Sequence, residues 1–402
     1  MRAEPLSTFR LGVNYWPART AMAWWSRFDL DEVALDFGRI AESGMDSVRV
    51  FLRWEEFQPE PDRVDRDALR RLVEVADAAA DEGLGLMPTL FTGHMSGVNW
   101  IPGWALGGSA RDERFRVVSG GRVVGSGLRN WYVEADPSRA QALLAGEAAT
   151  ALAGHAAMWA WDLGNEPSNC VVPPGREHGR RWLGQMTSAI RAADATVPIT
   201  IGLHMEDLEH DRELGPHEAA EVCDFLSMHG YPIYAAWAEG ATDEHLVPFL
   251  ARVTRWLGDG ADVLFSEFGL PTFRAEERAR GETMLVEETE AARYTARVLE
   301  GLRQEACTGA MVWCSADYAS EVWSEPPLDE ATHERSFGVW RADGSAKPVL
   351  AELAAFAGRS RFDGSIDADD VIDIDQRSYW RDPAAALARL YRRYREMRSS
   401  NT

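Results

Sequence analysis

"MWAWDLGNEPSN", residues 158–169, starts as a buried β-strand and ends as a polar turn. Its first half is apolar and rich in tryptophan, whereas its second half places Asn165, Glu166 and Pro167 directly after a glycine. An apolar run that stops at glycine and proline is typical of a strand buried on both faces of a sheet. The stretch therefore predicts a central parallel strand that carries a carboxylate out of the core at its C-terminal end.

Seven further apolar runs occur along the chain, separated by longer amphipathic segments. The eight predicted strands are 11–15, 46–52, 84–90, 157–163, 197–202, 223–229, 262–268 and 308–314. Helical periodicity is found near 30–43, 67–82, 137–153, 176–193, 243–257, 285–305 and 346–357, and the stretch 205–222 is less clear. Asp136 followed by Pro137 predicts the start of the third helix, with the aspartate as its N-cap.

Eight strand–helix units predict an α/β fold, a (β/α)8 TIM barrel, over residues 1–357. A doubly wound sheet is disfavoured because the first turn, NYWPART (14–20), has no glycine-rich phosphate cradle. Long loops are expected after the third and eighth strands, at 91–135 and 315–345.

The remaining residues, 358–402, are expected to form a helical extension that packs on the barrel. Its acidic stretch SIDADDVIDID (365–375) is predicted to be extended, and DPAAALARLYRRYREMR (382–398) is predicted to be an amphipathic helix. The apolar stripe of this helix should dock on the barrel, and a partner-binding helix is the alternative. The stripe consists of Leu387, Leu390, Tyr391 and Tyr394.

The charge balance limits the partners of the protein. Its net charge is −22, from 42 basic and 64 acidic residues, which argues against nucleic acid and anionic membranes and suits neutral ligands such as sugars. The four cysteines form no CxxC pair, and the N-terminal stretch has no apolar segment of signal-peptide length. A cytoplasmic enzyme with reduced cysteines is therefore expected, and the sequence leaves its oligomeric state open.

Polar residues follow the predicted strands at the end where a parallel barrel gathers its chemistry. In chain order they are Asn14, Arg49, His94, Asn165, Glu166, His204, His229, Tyr231, Glu267 and Trp313. Taken singly, an arginine in a strand is usually a structural ion pair, and a lone histidine is usually a hydrogen-bonded, half-buried side chain. Glu166 and Glu267, however, end the fourth and seventh strands, which lie opposite each other in an eight-stranded barrel.

Two carboxylates facing each other across a cleft suit the hydrolysis of a glycosidic bond. One must be protonated to assist the leaving oxygen, and the other must be ionised to attack the anomeric carbon. Burial and like-charge repulsion can hold one proton on such a pair at neutral pH. Arg49 would favour the ionised form of the nearer carboxylate, and histidine and asparagine side chains can bind sugar hydroxyls.

This pattern resembles glycoside hydrolase family 5, a family of retaining (β/α)8 β-glycosidases. The matching motifs, in order, are Arg49 in SVRVF, His94 in TGH, Asn165-Glu166-Pro167, His229 and Tyr231 in MHGYP, Glu267 in SEFG and Trp313 in MVWC. The resemblance implies that Glu166 is the acid/base and Glu267 the nucleophile. It also implies that Asn165 binds the 2-hydroxyl of the substrate and that Tyr231 contacts the nucleophile. Trp313 would form the floor of the −1 subsite, which holds the sugar whose anomeric carbon reacts.

RNWY (129–132), GLHMEDLEHDRELG (202–215) and ERSFGVWRADGSAKP (334–348) further resemble a branch of the family that contains intracellular β-mannosidases. If the two long loops close one end of the cleft, the enzyme would be an exo-acting β-mannosidase on short β-linked oligosaccharides. The alternatives are an endo-β-1,4-mannanase, a β-glucosidase or glucanase of the same clan, a transglycosylase, and a non-catalytic sugar-binding protein.

A metal-dependent hydrolase with His94, His204 and His229 as ligands is a further alternative. It is disfavoured because NYWPA stands after the first strand, where such enzymes carry an HxH pair, so no metal and no cofactor are expected. Among the tryptophans, those in predicted strands and helices are assigned to the core. Five lie in loops and are candidates for sugar stacking, with Trp131 and Trp237 chosen as substrate-binding residues; the others are Trp100, Trp104 and Trp323.

Overall fold

A computed structural model describes residues 9–110, 112–275, 284–360 and 371–400. Eight parallel strands close into a barrel, which confirms the predicted (β/α)8 fold. The strands are β1 (Arg10–Asn14), β2 (Ser47–Arg53), β3 (Gly85–Thr92), β4 (Trp161–Asn165), β5 (Ile199–His204), β6 (Leu226–His229), β7 (Val263–Phe268) and β8 (Gly309–Val312). The barrel closes where β1 pairs with β8, with Arg10 opposite Gly309.

A helix follows each strand and covers the outside of the barrel. These helices are α1 (Leu30–Glu42), α2 (Arg66–Asp81), α3 (Ala135–Ala151), α4 (Arg176–Ala193), α5 (Pro216–Val222), α6 (Leu246–Leu257), α7 (Glu288–Gln304) and α8 (Val349–Phe356). The unclear stretch after β5 contains a short helix, Glu206–Glu209, followed by α5. None of the helices in the described ranges is both long enough and apolar enough to cross a membrane.

Several predicted boundaries are wrong: β6 begins at Leu226, three residues later than predicted, and β8 ends at Val312, two residues earlier. β4 starts four residues later than predicted and continues through Asn165, because Asn165 still pairs with Gly202 of β5. The third helix begins at Ala135, so Glu134 occupies the N-cap position and Asp136 lies in the first turn. There the Asp136 carboxylate pairs with Arg139 one turn later rather than with the free backbone amides.

The two long loops contain secondary structure of their own. The insertion after β3 forms a four-stranded sheet, whose strands are His94–Met95, Val98–Trp100, Arg116–Ser119 and Arg122–Val124. The segment after β8 contains the 3-10 helices Ser320–Val322 and Thr332–Ser336. Both loops rise from the C-terminal ends of the strands, where the predicted site residues lie.

The C-terminal helix α9 (Pro383–Ser400) packs on the outside of the barrel. All four residues of its apolar stripe are buried. The Tyr391 hydroxyl donates to Asp243 at 2.5 Å, and the Tyr394 hydroxyl donates to Glu305 at 3.0 Å. Most of the predicted extended acidic stretch, residues 365–370, lies outside the described residues.

Candidate active site

A cavity of about 600 Å³ opens at the C-terminal mouth of the barrel. It contains eight of the predicted site residues: His94, Asn165, Glu166, His204, His229, Tyr231, Glu267 and Trp313. They come from β3, β4, β5, β6, β7 and β8 and the turns directly after them, so the closure of the barrel brings together residues that are far apart in the sequence. The cavity is therefore the candidate active site.

Glu166 is held just beyond β4 by an unusual backbone conformation. Its φ and ψ are 46° and 53°, in the left-handed region that non-glycine residues seldom occupy. Its N–H donates to the Gly202 carbonyl of β5 at 3.0 Å, and Pro167 begins a 3-10 turn directly afterwards. Local strain of this kind persists only when the surroundings impose it, and it is common at functional sites.

Glu267, near the end of β7, receives two strong hydrogen-bond donors. The Tyr231 hydroxyl donates to Oε2 at 2.9 Å, and Nη1 of Arg49 donates to Oε1. Neither of these donors contacts Glu166, which instead accepts from the Asn169 side-chain amide at 2.9 Å. The two glutamates therefore face the same cavity in different electrostatic surroundings.

Arg49 lies beneath the cavity and does not line it. Its guanidinium is fully buried, with Nη2 2.6 Å from Asp162 Oδ2 and 2.8 Å from Asn165 Oδ1. Asn14 accepts from the same guanidinium at 3.1 Å. Arg49 was predicted to bind substrate, but the structure places it where it orients Glu267 and Asn165 from below.

The Arg49 side chain fits beside the backbone of β5 because residue 202 is a glycine. A Cβ at Gly202 would lie 2.7 Å from the Gly164 carbonyl oxygen and 3.1 Å from Nη2 of Arg49, so only glycine fits there. Asp162 is not among the residues predicted from the sequence, although an ionisable residue inside an otherwise apolar strand is a recognisable signal. Buried charges in proteins are paired, and Asp162 is the partner that Arg49 requires.

The two carboxylates are close enough to interact directly. Nδ1 of His229 lies 3.0 Å from Glu166 Oε1 and 3.6 Å from Glu267 Oε1, and one oxygen of each glutamate lies within 4.8 Å of the other. Nε2 of His229 is buried without a partner. Burying an N–H donor without an acceptor costs more free energy than burying an unprotonated ring nitrogen without a donor. Nε2 is therefore unprotonated, and Nδ1 carries the proton and donates to the carboxylate pair.

Burial and mutual repulsion raise the pKa values of both glutamates. The pKa of Glu166 is raised well above its usual value, first by burial and then by the charge of Glu267. Burial also raises the pKa of Glu267 to about 7, while Arg49 and Tyr231 oppose the increase. Because those two donors act on Glu267, the proton of the singly protonated pair is best placed on Glu166.

Three of the cavity histidines, His94, His204 and His229, are held neutral. Burial lowers the pKa of His94 to about 4, and burial also lowers the pKa of both His204 and His229. Asn99 fixes the tautomer of His94, because its amide nitrogen donates to the Asn169 carbonyl at 3.0 Å and its oxygen faces His94 Nδ1 at 2.8 Å. Nδ1 therefore carries the proton of His94, and Nε2 is a bare acceptor 3.7 Å from Glu166.

Asn165 and Trp313 both lie in the cavity. The Asn165 oxygen accepts from Arg49, and its amide nitrogen donates to the His94 carbonyl at 3.0 Å. One amide hydrogen of Asn165 remains for a ligand. Trp313 directly follows β8 and joins Glu267 and Tyr231 among the cavity residues.

The other two tryptophans chosen from the sequence do not line the cavity. Trp131 is 5% exposed and packs edge-to-face on Trp54, with ring centroids 5.6 Å apart. The indole N–H of Trp237 donates to Glu209 at 2.7 Å, and its ring packs on Tyr391 of α9. Both indoles hold loops in place, which is the alternative role of loop aromatics.

Several cavity residues were not identified from the sequence. They come from the loops after β3, β5, β6 and β8: Ser96, Arg114, Phe115, Glu206, Tyr234, His333 and Glu334. Glu334 accepts from Ser96 at 2.9 Å and from Tyr234 at 3.1 Å. No local pattern marks these residues, because their positions depend on how separate loops pack together.

Among the residues that the structure describes, one group of potential metal ligands is close enough to share an ion: Glu166, His229 and Glu267. Two of the three histidines considered as metal ligands, His94 and His204, are not in it. Arg49 already supplies a positive charge to Glu267, and His229 directs a proton at both carboxylates. These contacts favour a proton shared by the pair over a cation.

Residues 13–317 match the family described as cellulase (glycosyl hydrolase family 5). No curated protein matches the sequence. Solved structures resemble the chain at low identity. The exo-β-1,4-mannosidase Op5Man5 from Opitutaceae bacterium strain TAV5 is 24% identical with a TM-score of 0.72, over 89% of this chain and 62% of Op5Man5. This chain thus spans less than two thirds of that protein.

Two further structures come from Streptomyces cattleya. GH5_18 in complex with GlcNAc is 20% identical with a TM-score of 0.80, over 98% of this chain and 92% of its own. A GH5_18 variant in complex with Manβ1-4GlcNAc is 21% identical with a TM-score of 0.75, over 95% of this chain and 88% of the variant's chain. At these identities the likeness shows a shared fold.

Proposed function

The chain belongs to glycosyl hydrolase family 5 and is a glycoside hydrolase, and from this premise we propose that it is a retaining, exo-acting β-mannosidase. Its substrates would be short β-linked oligosaccharides, from which it releases single mannose units. One observation carries the proposal: two carboxylates lie within 4.8 Å of each other in one cavity, and only Glu267 receives Arg49 and Tyr231.

The spacing of the carboxylates supports a retaining mechanism. Retaining enzymes hold the two carboxyl groups about 5–5.5 Å apart, whereas inverting enzymes separate them by about 6.5–9.5 Å to admit a water molecule. An oxygen–oxygen approach within 4.8 Å fits the retaining spacing. Glu267 is then close enough to attack the anomeric carbon directly.

In the first step Glu166 gives its proton to the glycosidic oxygen while a Glu267 oxygen attacks the anomeric carbon. The bond to the leaving oxygen breaks, the free sugar departs and the glycosyl group is esterified to Glu267. In the second step Glu166 removes a proton from water, which attacks the same carbon and releases Glu267. Arg49 and Tyr231 stabilise the ionised form of Glu267, which is present before the first step and restored after the second.

Contacts between loops support exo action. Arg116, in the insertion after β3, pairs with Asp329, in the segment after β8, at 2.6 Å. Ser96 and Tyr234 both donate to Glu334 in that same segment. These contacts join the loops after β3, β6 and β8, and Ser96, Tyr234 and Glu334 line the cavity, which favours a pocket for a chain end over an open groove.

Two features support a mannoside as the substrate. RNWY (129–132) and the 334–348 stretch resemble intracellular β-mannosidases. Among the similar structures, Op5Man5 is described as an exo-β-1,4-mannosidase, and GH5_18 was solved with Manβ1-4GlcNAc. We therefore propose that the leaving sugar is mannose or N-acetylglucosamine in a β-1,4 linkage.

A substrate panel tests the proposal. We expect nitrophenyl β-mannoside to be cleaved faster than the β-glucoside and β-galactoside, and β-1,4-mannobiose and Manβ1-4GlcNAc to release mannose. Faster cleavage of internal bonds in mannan than of the aryl mannoside would contradict exo action. A preference for the glucoside would contradict the mannose assignment and leave the roles of the two glutamates intact.

A further inference from the structure

Ser168, His204 and Asp207 form a hydrogen-bonded cluster beside the acid/base. The Ser168 hydroxyl donates to Asp207 Oδ1 at 2.6 Å and lies 3.0 Å from Nε2 of His204. The backbone N–H of His204 donates to Asp207 Oδ2 at 3.0 Å. Asp207 is 1% exposed, and neither it nor Ser168 lines the cavity, whereas His204 does.

The cluster determines which nitrogen of His204 carries its proton. Ser168 has one hydroxyl proton and gives it to Asp207, whose two oxygens both act as acceptors. The Ser168 oxygen must then accept a hydrogen bond from His204, which places the ring proton on Nε2. Because burial lowers the pKa of His204, the ring has only this one proton, and Nδ1 is a bare acceptor.

That bare nitrogen faces the position of the leaving group. Nδ1 of His204 lies 3.9 Å from Glu166 Oε2, which is too far for a direct hydrogen bond and near enough to reach a group bound beside the carboxyl. His204 ends β5, next to β4 in the barrel, whereas Trp313 and Glu267 stand at β8 and β7. A sugar whose linking oxygen takes the proton of Glu166 therefore lies near His204, and also near Nε2 of His94, which is 3.7 Å from the same Glu166 oxygen.

We propose that Nδ1 of His204 accepts a hydrogen bond from a hydroxyl or amide N–H of the leaving sugar, and that His204 thereby selects a sugar leaving group. Ser168 and Asp207 are positioning residues that keep the acceptor nitrogen directed at that sugar. The proposal rests on the proposed function, because it assumes that Glu166 protonates the leaving oxygen. The plainer alternative is that the cluster only fixes the turn after β5.

The tautomer is measured without any substrate. Long-range proton–nitrogen NMR of the protein with labelled histidine should show Nε2 of His204 protonated and Nδ1 bare at pH 7, with the signal assigned by its loss in His204→Phe. Ser168→Ala should weaken that preference, because Nε2–H loses its acceptor. A proton on Nδ1, or on both nitrogens, overturns the proposal whatever the substrate is.

Two substrates whose leaving groups are poorly acidic alcohols then separate recognition of the leaving sugar from acid catalysis. Methyl β-mannoside and β-1,4-mannobiose both need a proton from Glu166, but only the mannobiose leaving group carries hydrogen-bond donors. His204→Phe should lower the ratio of kcat/KM for mannobiose to that for the methyl mannoside by about tenfold, mainly through KM, as expected for one lost hydrogen bond to substrate. His204→Asn, which can place an oxygen near the Nδ1 position, should restore part of the ratio.

His217→Phe is the matched control, since His217 is a half-exposed histidine on α5 outside the cavity, and it should leave the ratio unchanged. Equal losses on both substrates with His204→Phe would show a structural role and overturn the proposal. If the unmodified protein cleaves neither mannoside, the proposed function fails. The tautomer measurement, and the same comparison with the corresponding pair from the sugar that it does cleave, still decide the role of His204.

Discussion

Glu267 and Glu305 are both buried glutamates that accept a tyrosine hydroxyl and an arginine guanidinium, yet they lie in very different places. Glu267 faces the cavity with Tyr231 and Arg49. Glu305 directly follows α7 and accepts from Tyr394 of α9 at 3.0 Å, from Arg252 of α6 at 2.9 Å and from Arg398 at 2.6 Å. Glu305 thus joins three helices on the outside of the barrel.

The difference lies in how charge is balanced. Glu305 has two arginines, and their guanidiniums stand 5.8 and 5.2 Å from the Tyr394 ring. Glu267 shares its one arginine with Asp162 and has Glu166 as a further negative neighbour. The same three residue types therefore make a structural clamp where cations are in excess, and a titratable, reactive pair where carboxylates are in excess.

The largest effect should come from removing the nucleophile. Glu267→Ala is expected to lower kcat by about 10⁴-fold or more on every substrate, because no covalent intermediate can form. Steady-state rates on nitrophenyl β-mannoside and on mannobiose test this, with circular dichroism to show an intact fold. Residual activity above a hundredth of the unmodified rate on either substrate would contradict the assignment.

Glu166→Ala should distinguish the role of Glu166 as the acid from the role of Glu267 as the nucleophile. Aryl mannosides need little acid assistance, so their glycosylation step should fall far less than that of mannobiose, for which a loss of about 10²–10⁴-fold is expected. Pre-steady-state rates on the two substrates measure the contrast. Equal losses on both would show that Glu166 does not act as the acid.

Removing the charge of Glu305 should affect stability and leave catalysis intact. Glu305→Gln leaves two arginines facing a neutral amide and should lower the free energy of unfolding by about 3 kcal/mol in urea titrations. Glu300→Gln is the matched control, because Glu300 is a partly exposed partner of Arg303, and its loss should cost about 0.5 kcal/mol or less. A large change in kcat/KM with Glu305→Gln would remove the distinction between the two sites.

The smallest effects are expected from removing the tyrosine hydroxyl that donates to each glutamate, Tyr231 for Glu267 and Tyr394 for Glu305. Catalysis needs Glu267 ionised, so kcat/KM should fall as pH decreases through about 7, the raised pKa of Glu267. Tyr231→Phe removes a donor to that carboxylate, raises its pKa further and should move this acid limb to higher pH. Tyr394→Phe should instead cost about 1 kcal/mol of stability. An unmoved acid limb in Tyr231→Phe would contradict the role of its hydroxyl.

The fold could be predicted from the sequence because strand and helix periods are local signals. All eight strands and the polar residues at their ends follow from periodicity and the geometry of a parallel barrel. The end of β4 was misjudged because Gly164 and Asn165 look like a turn, although their pairing with β5 keeps them in the strand. Such pairing depends on a neighbour that the local sequence does not show.

The cavity was harder to predict because much of it depends on contacts between distant loops. Glu334 comes near Ser96 across 238 positions of sequence, and no spacing rule links the two. Trp131 and Trp237 were chosen because aromatic residues in loops often stack on sugars, but packing directs both into the protein. Asp162, by contrast, could have been identified, since an ionisable residue in a buried strand requires a buried partner.

The stereochemistry of the first product tests the central claim most directly, because it depends on both glutamates acting at the distance seen here. Proton NMR of a β-mannoside hydrolysis, recorded before mutarotation, should show β-mannose as the first-formed anomer, as attack by Glu267 followed by attack of water requires. Initial appearance of α-mannose would mean that water attacks directly and that Glu267 is not the nucleophile.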